Sequence, residues 1–299
     1  MDELIIASRA VHFAALALLL GAPFFRLAVS PHGPARGWPA GRAIELAAAC
    51  VALVSGLGWF AGVAATFAGG WQDALAPDIL QAVTFETRFG HLWIARLIAL
   101  LALLVIHVLA RPSRLRDGAL AILAAAPTAS LVGVGHGMTG AGAGAGAEVA
   151  GVHMAADIVH LLCAMAWIGG LFCLVQVLRR AVVGDSAGEF LHVVLPRFSR
   201  VGYWLVALLL ISGCINALVL LPRPDSLVTS DYGRVLLVKI GLVLIMVAFA
   251  LYNRLVLVAP VIDGKMSPRA LRRSAAMEQG IGLLVLAAVA LLGTIHPVP

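Results

Sequence analysis

The chain has too little charge for a soluble globular protein. Only 12% of its 299 residues are Asp, Glu, Lys or Arg, whereas 62% are hydrophobic. Such a composition cannot be arranged as one apolar core under a polar shell. Long polar stretches are also lacking, so the sequence leaves no room for a separate soluble domain. Composition therefore places nearly the whole chain in a lipid bilayer.

Motifs of the common enzyme classes are missing as well. The Gly-Ala run at 140–146 is not a phosphate-binding loop of the Walker type, and no nucleophile and base stand at a recognised motif spacing. The four cysteines form no C-x-x-C pair. We therefore expect neither a hydrolase nor a transferase, and predict that the protein is not an enzyme.

What the sequence does contain is a series of apolar runs. Each is roughly 20 residues long, the length that an α-helix needs to cross about 30 Å of hydrocarbon. The runs lie near residues 4–27, 43–67, 91–110, 118–135, 152–178, 201–221, 235–258 and 276–295. They predict an all-α, polytopic membrane protein with about eight transmembrane helices.

Basic residues mark every second loop between these runs. Because cytoplasmic loops retain Lys and Arg, we predict that the first, third, fifth and seventh loops are inside. The basic residues of these loops are Arg26, Arg36, Arg42, Arg111, Arg114, Arg116, Arg179, Arg180, Arg197, Arg200, Lys265, Arg269, Arg272 and Arg273. The excess of basic residues in these inner loops accounts for the net charge of +6. A nucleic-acid partner is not needed to explain this charge and is not expected. We expect a bacterial inner membrane, with both termini periplasmic.

The two halves of the chain share a series of residues in the same order. The matched positions are His12 with His160, Gly21 with Gly169, Ser55-Gly56 with Ser212-Gly213, Arg96 with Lys239, and His136 with His296. This order predicts a tandem duplication, with one repeat at about 1–137 and the other at about 150–299. Four helices in each unit leave both copies in the same orientation, related by a pseudo-twofold axis along the membrane normal.

Histidines gather toward the predicted outer side. Six of the nine lie there, namely His12, His91, His136, His153, His160 and His296. The duplication relates His12 to His160 and His136 to His296, so four imidazoles could approach one another around the axis. A metal or haem site requires such a set. The alternative is that each histidine is an interfacial imidazole, hydrogen-bonded to backbone or water.

The fifth helix adds a carboxylate to this set. His153, Asp157 and His160 have i, i+4 and i+7 spacing and share one helical face. Inserting an aspartate into a membrane helix costs on the order of 3 kcal/mol, so we expect Asp157 to face inward and to be paired. It could orient a histidine, bind a metal directly, or pair with Arg96 or Lys239. Both cations are expected to snorkel outward.

Copper suits these residue types, because imidazole and thioether are its characteristic ligands. Met138 and Met154 flank the histidines, although a methionine in a membrane helix is usually a packing residue. Toward the inner side, Asn253-Arg254 and Glu278 are expected to form a structural pair or part of an exit. No ladder of His, Met or Cys continues from His160 to the cytoplasm.

The stretch from Phe198 to Pro260 resembles the signature domain of CopD, the inner-membrane copper resistance protein D family. Its motifs are Arg197-Phe198-Ser199-Arg200, Ser212-Gly213 with Asn216, Tyr232-Gly233-Arg234 with Lys239, Asn253-Arg254 and Pro260. The helix 4 to helix 5 region also resembles the family, in Gly135-His136, Asp157, His160-Leu161-Leu162 and Trp167-Ile168-Gly169-Gly170-Leu171. The resemblance covers essentially all eight helices. It implies a copper-binding permease that moves copper from the periplasm toward the cytoplasm. It also implies a periplasmic copper-binding partner of the CopC type, here a separate polypeptide.

Two other functions stay open at this point. Histidines on facing helices could supply both axial ligands of a b-type haem, so that electrons rather than ions cross the membrane. A copper-binding membrane chaperone or sensor would not transport at all. The predicted copper ligands are His12, His136, His160, His296, His153, His91, Met138 and Met154. The predicted supporting or ion-pairing residues are Asp157, Arg96, Lys239 and Asn216.

Overall fold

In the part of the chain that the structure describes, eight helices are long and apolar enough to cross a membrane. The computed structural model describes residues 2–30, 39–134, 147–183, 190–220 and 225–295. The helices are α1 (Asp2–Ala28), α2 (Pro39–Phe67), α3 (Arg88–Leu109), α4 (Arg114–Ala129), α5 (Ala147–Val183), α6 (Leu191–Leu220), α7 (Asp231–Tyr252) and α8 (Pro268–Leu292). No strand occurs within these described ranges. The prediction of an all-α membrane protein with about eight spans is confirmed.

Several helices extend beyond the apolar runs that predict them. Helix α6 begins at Leu191 and includes Arg197 and Arg200, which the sequence pattern placed in a loop. Helix α8 begins at Pro268 and includes Arg272. Hydropathy detects only the part of a helix that lies in hydrocarbon, whereas the hydrogen-bonded backbone continues into the polar layer. The basic residues therefore stand on helix ends rather than in loops.

Short helical segments join or extend the long helices. Pro77–Gln81 and a π-helical turn at Ala82–Glu86 precede α3, and Ser226–Thr229 precedes α7. Helix α4 continues as a 3-10 turn at Ser130–Gly133. Helix α7 continues through a π-helical turn at Asn253–Leu257 and a last segment at Val258–Ile262.

Hydroxyl side chains define where four of the long helices begin. Thr87, Ser113, Ser230 and Ser267 precede α3, α4, α7 and α8, and each accepts a hydrogen bond from a backbone N–H of the first turn. Such caps satisfy donors that have no partner inside the helix. We call the face at which α1, α3, α5 and α7 begin the upper face, which the sequence predicts to be periplasmic, and the opposite one the lower face.

Helices α1 and α5 touch backbone to backbone at the centre of the bundle. A Cβ atom on Gly21 would collide with the backbone of Gly169, and one on Gly169 would collide with the carbonyl of Ala17. Small residues permit such close approach between membrane helices. Gly21 and Gly169 are also matched positions in the predicted duplication. If the predicted pseudo-twofold axis passes between α1 and α5, equivalent residues of the two helices meet at this axis, as Gly21 and Gly169 do.

A buried ionic network closes the lower end of the first four helices. Arg26 on α1 donates to Glu45 on α2 at 2.6 Å and to Asp117 on α4 at 2.8 Å. His107 on α3 lies 2.9 Å from Glu45. All four side chains are less than 10% exposed. The network therefore ties together the lower ends of α1, α2, α3 and α4.

Candidate metal site

His12 is held by a backbone carbonyl of the neighbouring helix. Its ring is fully buried, and Nδ1 lies 2.9 Å from the carbonyl oxygen of Ala52 on α2. A carbonyl can only accept a hydrogen bond, so the proton of the neutral imidazole lies on Nδ1 and Nε2 keeps its lone pair. Nε2 is buried and has no hydrogen-bond partner in the described part of the chain. Metal-ligating histidines are commonly oriented in this way.

His160 is held in the same way by α6. Its Nδ1 lies 3.1 Å from the carbonyl oxygen of Leu209 and 3.2 Å from the hydroxyl of Ser212. Leu209 stands three residues before Ser212, as Ala52 stands three residues before Ser55. Each serine also donates to the carbonyl four residues earlier, at 2.6 Å in both helices. The two histidines therefore have matching supports, as the predicted duplication expects.

The glycine after each serine makes room for the histidine ring. A Cβ on Gly213 would lie 3.1 Å from Cε1 of His160, and one on Gly56 would lie 3.4 Å from Cε1 of His12. On Gly56 the same Cβ would also collide with the ring of Trp93. The Ser-Gly pairs, which are matched positions in the predicted duplication, thus hold the two imidazoles.

His160 lines a cavity of about 180 Å³ enclosed by α1, α5, α6, α7 and α8. We call it the upper cavity. Its charged and amide-bearing lining residues are Arg9, Asp157, Asn216 and Lys239. The amide nitrogen of Asn216 donates to Asp157 at 3.1 Å. Asp157 therefore faces inward and is paired, as the sequence predicts, and its neighbours in the cavity are Asn216 and Lys239.

His153 lies one helical turn before Asp157 on the same face of α5. Its ring is 1% exposed, and neither ring nitrogen has a hydrogen-bond partner among the described residues. Removing a polar group from water without such a partner is unfavourable. A ligand on His153 would offset that loss. With Asp157 and His160, His153 gives this face of α5 two imidazoles and one carboxylate.

Arg96 does not pair with Asp157, and the expectation that it snorkels outward is wrong. Its side chain is 1% exposed and donates to the hydroxyl of Ser130 at 2.6 Å and to its carbonyl at 2.9 Å. The guanidinium lies 5.2 Å from the centre of the Trp59 ring, and that of Arg9 lies 4.9 Å from it. Hydrogen bonds and cation–π contacts hold the cation inside. Lys239, its match in the second repeat, is partly buried and lines the upper cavity instead.

Other predicted ligands stand apart from the upper cavity or cannot be placed. His91 is exposed, and its Nε2 lies 2.9 Å from the carbonyl oxygen of Phe85. Met154 is 42% exposed on α5. His136, Met138 and His296 lie outside the described residues. Within the described ranges no three His, Cys, Asp or Glu side chains are close enough together to hold a metal ion, so the four-histidine site stays a prediction.

A haem shared by His12 and His160 does not fit the described residues. His160 lines the upper cavity, whereas His12 does not. The ring of His12 contacts Ser55 and lies 6.0 Å, centre to centre, from that of Trp59. Two axial ligands must face a common slot that is wide enough for the porphyrin. The two imidazoles offer no such slot between them.

A second cavity, of about 90 Å³, lies nearer the lower face. We call it the lower cavity. Trp167, Asn253, Arg254 and Glu278 contribute to its lining, and Trp167 lines the upper cavity too. Asn253 donates to Glu278 at 2.9 Å, so the predicted pair between α7 and α8 is present. Arg254 is not part of it, because its guanidinium lies 5.0 Å from the Tyr203 ring. Sequence reasoning missed Trp167, although the residue belongs to a motif that it singled out.

Two family models match the chain and together cover most of it. Residues 1–147 match the model described as Copper resistance protein D-like, N-terminal domain. Residues 192–292 match the model described as Copper resistance protein D. The second match contains the predicted signature region and includes the seat of His160 on α6. No solved structure matches the chain.

Three curated relatives resemble the chain along most of its length. The inner membrane protein YebZ of Escherichia coli (strain K12) is 32% identical over 296 residues, which are 98% of each protein. Copper resistance protein D of Pseudomonas syringae pv. tomato is 31% identical over 76% of this chain and 74% of its own. Copper transport protein CutJ of Bacillus subtilis (strain 168) is 28% identical over 98% of this chain and 53% of its own. These matches, together with the two family models, show that the chain belongs to the copper resistance protein D family of membrane proteins.

Proposed function

We propose that the protein is an inner-membrane permease that binds copper in the upper cavity and passes it toward the cytoplasm. The observation that carries this proposal is the way in which α6 holds the imidazole of His160. Its Nδ1 is fixed on the Leu209 carbonyl, which leaves Nε2 as a ligand, and its ring lines a cavity that also contains Asp157. Relatives named for copper resistance and copper transport support the choice of metal.

His160 supplies imidazole, and Asp157 supplies negative charge. His153, one helical turn before Asp157 on α5, does not line the cavity. A copper ion in a cavity of low dielectric needs a nearby anion, because its own charge is poorly solvated there. Lys239 lines the same cavity and compensates Asp157 while the site is empty. Copper entry displaces this ammonium from the carboxylate, so the cavity exchanges one cation for another. Of the other predicted histidine ligands, His12 does not line this cavity, and His136 and His296 lie outside the described residues.

The proposed direction rests on the family resemblance, and the positive-inside pattern assigns the upper face and both termini to the periplasm. Copper then enters at the upper face. A separate periplasmic protein of the CopC type, implied by the family resemblance, would deliver it there. The matching seats of His12 and His160 and the contact of Gly21 with Gly169 support a tandem duplication. One repeat spans about 1–137 and the other about 150–299.

The test compares His160→Ala with His91→Ala, since His91 is exposed and bonded to a loop carbonyl. Both variants are expressed, purified and analysed for copper, and the copper content of the expressing cells is measured. We expect copper to co-purify with the parent protein and with His91→Ala but not with His160→Ala, and cellular copper to follow the same order. Equal copper in all three proteins and cells would exclude His160 as the site.

Two alternatives give different results in the same samples. A histidine whose Nδ1 bonds a carbonyl is also suitably oriented for haem iron, so His12 or His160 with another partner could hold a b-type haem. A Soret band with split peaks after reduction would then replace copper. A chaperone or sensor would bind copper in the purified protein without raising cellular copper. Only copper bound to the purified protein together with raised copper in the expressing cells supports a permease.

A further inference from the structure

The two four-helix halves of the protein are packed differently. In the first half, Trp59 is 2% exposed and lies against Arg9 and Arg96 at the upper level. At the lower level a cavity of about 20 Å³ beside Arg26 and Glu45 has room for about one water molecule. Trp59 thus fills the upper level of this half together with the two arginines.

In the second half two larger cavities follow one another along the membrane normal. The upper one has a volume of about 180 Å³ and the lower one about 90 Å³. Trp167 on α5 lines both and is 3% exposed. Trp167 therefore stands where the two cavities come closest in the described lining.

Glu278 stands on the lower side of this indole. It is 2% exposed, accepts a hydrogen bond from Asn253 and interacts with the indole N–H of Trp167. No ion pair joins it to a basic side chain in the described part of the chain. Arg254 lines the same cavity but lies over the Tyr203 ring. A carboxylate buried within a membrane helix needs a proton or a cation.

Two further oxygen atoms near Glu278 also lack partners. The side-chain oxygen of Asn253 and the hydroxyl of Ser274, one turn before Glu278 on α8, are buried without a hydrogen-bond partner among the described residues. Unsatisfied buried acceptors are costly. The Glu278 carboxylate and the Asn253 oxygen both line the lower cavity, so they are the oxygen ligands that a cation in this cavity would meet.

We propose that an inward path runs along α5, from the upper cavity past Trp167 to Glu278, which is an inner cation-binding site. The inference rests on the proposed function, because it needs copper to enter at His160. A cation that binds Glu278 competes with the indole N–H of Trp167 and the amide of Asn253 for the lone pairs of the carboxylate. Trp167 is then released, and the carboxylate recovers these donors when the cation leaves.

The decisive experiment uses the full-length protein in proteoliposomes with copper as the probe. Two quantities are measured for Glu278→Gln: copper bound by the protein in detergent, and the initial rate of copper uptake. We expect copper binding in the upper cavity to be retained, because His160 is unchanged, the copper held at Glu278 to be lost, and the uptake rate to fall at least tenfold. Glu278→Asp should recover part of the rate. Glu86→Gln, which alters an exposed carboxylate outside both cavities, should match the parent in both.

A second variant covers the case in which Glu278→Gln does not fold. Gly202 lines the lower cavity, and a Cβ there meets nothing within 4 Å, so a larger side chain can begin at this position and Gly202→Trp should take up space in the cavity. Gly280→Trp is the control, because Gly280 is exposed on α8 and equally open. Loss of uptake with retained binding in Gly202→Trp, but not in Gly280→Trp, supports the lower cavity as the path.

The outcomes separate this inference from the proposed function. Wild-type uptake by the folded Glu278 and Gly202 variants, with uptake abolished in His160→Ala, would overturn the path and leave the upper site standing. Wild-type uptake by His160→Ala would overturn the proposed function itself.

Discussion

His107 on α3 and Glu45 on α2 share a proton in the interior of the first helical unit. The Nδ1 of His107 lies 2.8 Å from the carbonyl oxygen of Leu103 and therefore donates to it. Its Nε2 lies 2.9 Å from Glu45, so one proton stands between the imidazole and the carboxylate. Arg26 binds both oxygens of the same carboxylate, at 2.6 and 3.0 Å. Glu45 is thus the acceptor on which the lower network depends.

Glu45→Gln should therefore destabilise the protein strongly. The amide cannot neutralise Arg26, and removal of one partner from a buried ion pair costs about 3–5 kcal/mol. Thermal unfolding in detergent should show a clear fall in Tm. Asp263→Asn is the control, because Asp263 pairs with Lys265 at 2.9 Å on the exposed surface, where such pairs contribute at most about 1 kcal/mol. Similar Tm values for the two variants would show that the lower network is not a structural element.

Gly169→Val should prevent α1 and α5 from packing. Its Cβ would collide with the Ala17 carbonyl of α1, and backbone cannot move aside as a flexible side chain can. We expect little monodisperse protein in size-exclusion chromatography. Gly241→Val on α7, where a Cβ meets nothing within 4 Å, should behave like the parent. A normal elution profile for Gly169→Val would mean that the two helices do not meet at this point.

The sequence predicts features that depend on one helix and fails for those that depend on several. Eight spans follow from length and hydropathy, and the inward position of Asp157 follows from its cost in lipid. The partner of Arg96 was not predictable in this way, because Ser130 and Trp59 lie on other helices. The lower cavity arises from the packing of α5, α6, α7 and α8, which no local pattern encodes. Snorkelling was the wrong expectation for Arg96 because an interior site offered it better contacts than the membrane surface.

The sidedness of the bundle is a separate prediction. If both termini are periplasmic, alkaline phosphatase fused after Pro299 should be active, because the enzyme folds only outside the cytoplasm. A fusion after Lys265, in the basic loop before α8, should be inactive. The reverse pattern would place the upper cavity on the cytoplasmic side and would turn the proposed direction of copper movement around.

Asp157 and Lys239 should affect copper binding in opposite directions. Asp157→Asn removes the negative charge that offsets copper in the upper cavity, and loss of a ligand or of its supporting carboxylate typically weakens metal binding by about 10- to 100-fold. Lys239→Met keeps much of the side-chain volume but removes the ammonium that competes for Asp157. It should therefore bind copper more tightly than the parent. Competition with a chromophoric copper chelator measures both affinities.

The sign of the Lys239 effect decides what this residue does. Tighter copper binding by Lys239→Met means that the ammonium occupies the carboxylate in the empty site and must be displaced, because the variant has lost only a competitor. Weaker binding would mean instead that Lys239 orients the site. Arg96→Met is the matched variant in the first half, and its guanidinium lies against Ser130 and Trp59 rather than in the upper cavity. Copper affinity should therefore respond to the charge at Lys239 and be unchanged by the loss of the charge at Arg96.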